Sequence, residues 1–357
     1  MKLSDICKYR KEKIELKKIN KEQYISTDNM LPNFAGVGEI KSFPNVEKVN
    51  KYYRNDILLS NIRPYFKKMI ISDTESGCSS DILVIKTIGK DVNPKFLYYR
   101  LMADDFFDYV ILTSKGTKMP RGDKDAIMNF ELFFPNIRIQ NKIVEILENI
   151  DKKIKLNNQI NNNLYEEAVA LFDNIFPGIQ NGNKTIGEYL IPKRGKNILS
   201  RNAKDGNIPV VAGGIDPATY HNQSNTHFPV ITISASGANA GYTSLWEIPV
   251  WASDCSYIDD TITNNVYFWY VVLKTRQKEI FDAQTGSAQP HIYPQHIAEM
   301  PIYELKEDKV REYNTFVEPL FKMIGHNKAE NERLSKLRDT LLPKLMSGEI
   351  NLDNIEI

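Results

Sequence analysis

One stretch constrains this chain more than any other. Gln140 to Phe176 reads QNKIVEILENIDKKIKLNNQINNNLYEEAVALFDNIF, with neither Pro nor Gly until Pro177-Gly178. Ile143, Leu147, Ile150, Ile154, Asn157, Asn161, Leu164, Ala168, Leu171 and Ile175 follow one another at steps of three or four. An average step of about 3.5 predicts a coiled-coil seam, not an ordinary surface helix. At about 1.5 Å per residue the helix spans roughly 55 Å, too long to hide in a small core. It needs a partner helix, and the chain offers one. Phe316, Leu320, Met323, Asn327, Glu330, Leu334, Leu337 and Leu341 repeat the stepping. Both seams are apolar at the ends and polar in the middle, which costs stability and sets register. Ile143, Leu147, Ile150, Leu164, Leu334 and Leu337 are the side chains expected to hold the pair together. Pro319 predicts a kink in the second helix, or a late start.

The rest of the chain repeats itself. Before the first long helix come strand-like runs at Asp56 to Ile62 and Asp81 to Ile88, then a helix predicted over Asn93 to Ile111. Asn93 caps that helix and Pro94 sits just inside it. A polar loop, TSKGTKMPRGDKDAI, and a last strand, ELFFP, lead into the long helix. Asn181 to Tyr303 runs in the same order: PVITISASG, PVWASDCSYID, NNVYFWYVVLKTRQKEIF, AQTGSAQPHIYPQHI and MPIYEL. Gly116, Pro120 and Ile127 fall on Gly286, Pro290 and Ile297 at an offset of 170. Leu147, Asn158 and Leu164 fall on Leu320, Asn331 and Leu337 at 173. The expected fold class is α+β: two globular domains related by a pseudo-two-fold axis and joined by two long antiparallel coiled-coil helices. The boundaries are 1–138 for the first domain, 139–178 for the central helix, 179–308 for the second domain and 309–357 for the C-terminal helix. Half-sites on one face of B-DNA lie about one turn apart, roughly 34 Å, so a duplicated reader on a stiff spacer suits double-stranded DNA.

Charge is uneven although the net is only +1. Residues 1–70 hold 15 Lys and Arg against 8 Asp and Glu, whereas 180–304 hold 9 against 11. The first domain is therefore expected to lean on phosphates, and the second on side-chain hydrogen bonds. Cys7, Cys78 and Cys255 lie far apart without CxxC spacing and read as reduced thiols. Met1 to Asn20 is charged throughout, unlike a signal peptide, and no apolar run reaches the roughly 18 residues a membrane span needs. These features predict a cytoplasmic protein without membrane contact.

Motifs for chemistry are weak. Phe34-Ala-Gly-Val-Gly38 has the outline of an adenosylmethionine-binding loop, but the chain has no Pro-Pro pair of the kind that holds a flipped adenine. There is no P-loop and no G-x-S-x-G. The Glu-Leu-Lys tripeptides at Glu15 and Glu304 lack a preceding Pro-Asp, and His291 and His296 lack a third metal ligand. Neither catalytic nor metal-binding residues are expected.

Thr285 to Ile302, TGSAQPHIYPQHIAEMPI, closes the second domain; Phe134 to Leu147, FPNIRIQNKIVEIL, leads into the central helix and is followed by DKKIKLNNQIN. Glu332 to Ile350, ERLSKLRDTLLPKLMSGEI, is its C-terminal counterpart. On these segments and the duplication, the chain resembles the specificity subunit of type I restriction–modification systems. The first domain departs from the pattern, with Lys118-Met119-Pro120 where the second has Ala288-Gln289-Pro290. The second lacks a lead-in like Phe134 to Gln140.

The resemblance implies a non-catalytic subunit with two target recognition domains, each reading half of a bipartite site. It implies two methyltransferase (modification) subunits as partners on the long helices, with restriction subunits joining in some assemblies. It implies no cofactor in this chain, S-adenosylmethionine, ATP and Mg belonging to the partners. Off-seam Ile146, Ile160 and Val169 are then the partner-binding candidates. A stand-alone DNA-binding regulator of the same fold and a protein-only scaffold stay open as alternatives.

Side chains suited to phosphates and base edges, on loops at matching positions, make the DNA-binding candidates. In the first half these are Arg63, Lys67, Lys68, Lys115, Thr117, Lys118 and Arg121. In the second they are Ser234, Ser236, Asn239, Tyr242, Gln284, Ser287, Gln289 and His291, with Lys193, Arg194 and Lys196 as phosphate anchors.

Overall fold

The apolar runs around Leu58 and Val84 become neighbouring strands. Ile57–Ser60 and Ile82–Thr87 pair antiparallel, Ile57 opposite Ile85 and Ser60 opposite Ile82. Cys7–Tyr9 and Met69–Ile71 flank them in a four-stranded sheet. Every residue of Ile57–Ser60 is buried, as a strand covered on both faces requires. Ile57 and Leu59 share a core with Phe96, Leu97 and Phe106 of the following helices. Leu58 packs on the other face with Met30, Tyr52 and Cys78.

The computed structural model describes residues 1–40, 42–286, 289–350 and 352, with Ser200 by its backbone alone. The chain divides into two units, residues 1–153 with 333–357, and residues 154–332. In the second unit Lys193–Arg194, Cys255–Ile258, Val230–Ser234 and Thr243–Trp246 form a sheet in the same strand order. Ile231 faces Ile258, and Ser234 faces Cys255. Each sheet is followed by two short helices, a hydrogen-bonded loop and a five-residue helix, Lys124–Met128 in one unit and Pro294–Ala298 in the other. Buried Ile127 and Ile297 hold those last helices down.

Two long helices, Ile137–Ile175 and Glu307–Ser347, each contribute a segment to both units. In the first unit Ile143, Val144 and Leu147 share a core with Leu342, Leu345 and Met346. Arg338 donates to Asp151 at 3.0 Å, and Asp151 also accepts from the Tyr99 hydroxyl at 2.6 Å. In the second unit Ala168, Phe172 and Phe176 pack with Tyr313, Val317 and Phe321. The Tyr313 hydroxyl donates to the Ala168 carbonyl at 2.8 Å. A polar ladder follows: Asn327 donates to Asn161 at 2.8 Å, and Asn157 donates to Glu330 at 2.7 Å and to Asn331 at 2.9 Å. Numbers rise on one helix as they fall on the other, so the segments are antiparallel within each unit. Among the described residues no helix is long and apolar enough to cross a membrane.

The structure corrects several expectations. The helix expected over Asn93 to Ile111 is two, Pro94–Met102 and Asp104–Leu112, broken at extended Ala103. Arg100 reaches across the break to both carboxylate oxygens of Asp105, at 2.8 and 2.7 Å. ELFFP forms no strand, and Glu131 makes only an isolated bridge to Lys2. The C-terminal helix starts at Glu307 and runs through Pro319, which lies on its exposed face, where the freed carbonyl has access to water. Its buried stripe is Tyr313, Val317, Phe321, Ile324 and Asn327. The expected seam is one residue out of phase before Asn327, so Phe316 and Met323 face outward at 54% and 50% exposure, as does Leu337 further on. Two apolar stripes run side by side on this helix, and the one carrying Tyr313 wins through its rings against Phe172, Phe176 and Phe268.

Candidate nucleic-acid interface

Both units build the same loop from unlike side chains. In the first, Lys115 and Arg121 exchange backbone hydrogen bonds at 2.8 and 2.9 Å, and Arg63 donates its N–H to the Pro120 carbonyl at 2.8 Å. In the second, Thr285 and His291 exchange bonds at 3.0 and 2.8 Å, and Gly237 donates to the Pro290 carbonyl at 3.1 Å. Gly116 and Gly286 turn these loops at φ of +96° and +93°, a region that favours glycine. A Cβ at Gly286 would also stand 2.6 Å from the Gln289 carbonyl oxygen.

The first unit gathers Arg63, Lys67, Lys115, Thr117, Lys118 and Arg121 on two adjoining loops, joined by the Ile62–Arg121 bridge. Carboxylates missed in the sequence steer several of these cations. Arg121 donates to Asp81 at 3.2 Å, Lys67 pairs with Asp104, and Lys115 pairs with Asp123. Lys115, aided by the N–H groups of Ala126 and Asp125, holds the Asp123 carboxyl down at about 2. Such exposed pairs are worth little to stability, but they orient a cation without burying it. Thr117 and Lys118 are exposed at the loop tip. Lys68 is different: its ammonium is half-buried against the Thr27 carbonyl at 2.7 Å.

The second unit brings Arg194, Ser236 and His291 together around Asp254. Arg194 donates to Asp254 at 3.1 Å and lies over the Tyr293 ring, and the Ser236 hydroxyl donates to the other Asp254 oxygen. His291 stacks on Tyr293 with centroids 6.0 Å apart. Asp254 and Asp81 stand just before corresponding strands, 173 residues apart. That offset, already present in the long helices, was the signal that could have found them. Gln289 is exposed on the loop, and Lys193 bonds Thr261 at 3.1 Å. Lys196 has an exposed side chain, its backbone carbonyl accepting from Trp251 at 2.8 Å. Gln284 braces the loop through the Ala240 carbonyl at 2.7 Å. Asn239, half-buried, closes a turn with Tyr242, whose ring lies 4.3 Å from the Lys274 ammonium instead of joining the cluster. Ser287 lies outside the described residues.

Three nominations are overturned. Ser234 is 3% exposed in the middle of its sheet, with a hydroxyl lacking a partner among the described residues, so it does not line a surface loop. Ile146 and Val169 pack against the cores of their own units, which removes them as free partner-facing side chains. Ile160 remains exposed, beside Leu156. Phe34 of the FAGVG segment packs edge-on against Phe107, placing that segment as a structural loop. Among the described residues no group of three His, Cys, Asp or Glu is placed to hold a metal.

Polar loops thus stand at matching places on two sheet-and-helix units. Residues 1–166 match the family described as type I restriction modification DNA specificity domain. The chain is 28% identical over 182 residues to the HindI specificity subunit of Haemophilus influenzae, a match taking in 49% of this chain and 39% of that one. The chain thus aligns with well under half the length of that relative. It is 23% identical over 310 residues to the MjaIX specificity subunit of Methanocaldococcus jannaschii, covering 75% of this chain and 72% of that one. Its fold is similar to that of the type I S subunit from M. genitalium, with a TM-score of 0.61 at 20% identity over 97% and 95% of the two chains. Over these spans the chain is similar to the specificity subunits of type I restriction–modification systems.

Proposed function

We propose that this chain recognises a bipartite double-stranded DNA site and holds the methyltransferase subunits of a type I complex on it. In this reading residues 1–138 and 179–308 are the recognition domains, and the segments 139–178 and 309–357, through the long helices Ile137–Ile175 and Glu307–Ser347, set the distance between half-sites and carry the partners. The chain contributes no catalytic group and holds no cofactor. S-adenosylmethionine belongs to two modification subunits, and ATP and Mg to restriction subunits where these join. The assembly works in the cytoplasm, beside the chromosome.

The observation that carries this reading is the duplicated loop. One backbone frame, closed by Lys115 with Arg121 in one unit and Thr285 with His291 in the other, displays cations in the first and amide, imidazole and hydroxyl groups in the second. A shared frame with different side chains suits two half-sites of different sequence. The test is genome-wide mapping of methylated adenine with and without this chain. Loss of one split motif is expected; an unchanged methylation map rejects the reading.

A further inference from the structure

The first unit raises two aromatic rings among its cations. Arg63-Pro64-Tyr65-Phe66-Lys67-Lys68 forms a single turn, Pro64–Phe66, with Pro64 buried beneath it. Tyr65 and Phe66 stand outward at 47% and 39% exposure, their centroids 4.7 Å apart. The turn is held rigidly. Arg63 and Lys67 on either side of it adopt left-handed backbone, φ +50° and +49°. Asn33 and Phe34, also left-handed, donate their N–H groups to the Phe66 and Lys67 carbonyls at 2.9 and 3.2 Å. Four of the five non-glycine positive-φ residues among those described thus converge on one clasp. Such strain persists only where the surroundings over-determine it. Arg63 N–H donates to Pro120, which ties the turn to the loop carrying Lys115, Lys118 and Arg121.

The second unit has the frame without rings on this turn, and its exposed Tyr293, at 46%, is already stacked by His291 and lies under Arg194. Gly237 takes the place of Arg63, bonding Pro290 as Arg63 bonds Pro120. It is followed by Ala238, Asn239, Ala240 and Gly241. The next aromatic, Tyr242, is turned against Lys274.

We propose that Tyr65 and Phe66 form an apolar wedge that inserts between base pairs of the half-site read by the first unit. That half is read with local unstacking of the duplex, and the other without it. The neighbouring cations identify the occupant: a base stack flanked by phosphates offers an apolar slot with negative edges, matching exposed rings flanked in sequence by Arg63 and Lys67. The Lys68 ammonium lies 5.8 Å from the Phe66 centroid, and the turn is bonded through Arg63 to the loop that carries Lys118 and Arg121. Side chains of this kind unstack base steps when held on a firm support. This inference rests on the DNA-reading function proposed above.

The probe is a duplex carrying the split motif recovered from methylation mapping, with 2-aminopurine in place of each adenine in turn except the methylated ones and their neighbours, which the methyltransferase subunits unstack themselves. The protein is the full chain assembled with its methyltransferase subunits. A severalfold fluorescence rise is expected at one step, in one half only. Tyr65→Ala with Phe66→Ala is expected to abolish the rise and weaken binding about tenfold, the range for losing an aromatic stack on a base. The slope of log affinity against log salt stays unchanged, because the wedge carries no charge. Tyr65→Leu with Phe66→Leu keeps apolar bulk and is expected to keep the rise, which guards against reading misfolding as function. A split motif bound without any rise, a rise surviving the alanine pair, or its loss in the leucine pair overturns the wedge and leaves DNA reading standing. Absence of any split motif overturns both.

Discussion

The asparagine ladder between the long helices of the second unit makes a quantitative test of the packing. Asn327 and Asn161 are 6% and 8% exposed and joined by one hydrogen bond of 2.8 Å. Asn327→Leu removes that bond, worth about 1 kcal/mol net, and leaves the Asn161 amide buried without its partner at a further cost of about 1–3 kcal/mol. Burial of the leucine offsets part of this, about 1–2 kcal/mol. A net loss of about 1–2 kcal/mol is expected, and the same for Asn161→Leu. The double substitution leaves no orphan and pairs two apolar side chains, so it should equal or exceed the unsubstituted chain. A coupling energy of at least about 2 kcal/mol follows, within the range seen for residues in direct contact. All three tryptophans, Trp246, Trp251 and Trp269, lie in residues 154–332, so their fluorescence reports this unit alone during urea unfolding. Each single substitution should lower the midpoint by about 0.5–1 M for a slope near 2 kcal/mol per M. Additivity of the two costs to within about 0.5 kcal/mol would refute the contact, and with it the antiparallel pairing of these helices.

Other perturbations follow from burial and charge. Burial pushes the Cys7, Cys78 and Cys255 thiols up to about 12, so the folded chain should resist Ellman's reagent at pH 8 and release three equivalents in urea. Rapid reaction of a native thiol contradicts that placement. Burial also raises the Glu247 carboxyl above its ordinary 4.5, although the Tyr267 hydroxyl donates to it at 3.1 Å. A raised folded-state pKa contributes stability below the unfolded value and loses it as pH rises through the folded one. Glu247→Gln should therefore raise the urea midpoint at pH 8 and give no gain at pH 4; equal shifts at both would exclude the buried charge as cause. The charge contrast between residues 1–70 and 180–304 predicts a steeper salt dependence for a duplex holding only the first unit's half-site. Equal slopes discard it.

What the sequence made legible follows from the range of each interaction. The central helix was readable because its whole period lies within one uninterrupted run, and caps such as Asn93 act within three residues. The C-terminal seam was misread because Phe316 and Val317, Leu320 and Phe321, and Met323 and Ile324 are adjacent apolar pairs. Periodicity alone cannot decide between two stripes one residue apart; the aromatic core that decides lies on other elements. Ser234 was misread for a related reason. A strand covered on both faces shows no alternation, so its last polar residue looks like the start of a loop.

The site divides along the same line. Its frame was readable because the duplication marks Gly116 and Gly286, and Pro120 and Pro290, as the same places. Its charge arrangement was not, because Asp81 lies 40 residues before Arg121, and Asp254 lies 60 after Arg194. Those carboxylates change what the cations can do: Arg121 and Arg194 arrive already oriented, whereas Arg63 and Lys118 make no ion pair among the described residues. Exposure of Tyr65 and Phe66 was hidden too, since an apolar pair after a strand reads as core until the buried Pro64 and the Asn33–Phe34 clasp show which way it is turned. A frame held by backbone hydrogen bonds tolerates exchange of everything it displays. Two copies in one chain can thus diverge, one toward rings and cations and the other toward amides and imidazole, without disturbing the sheets beneath.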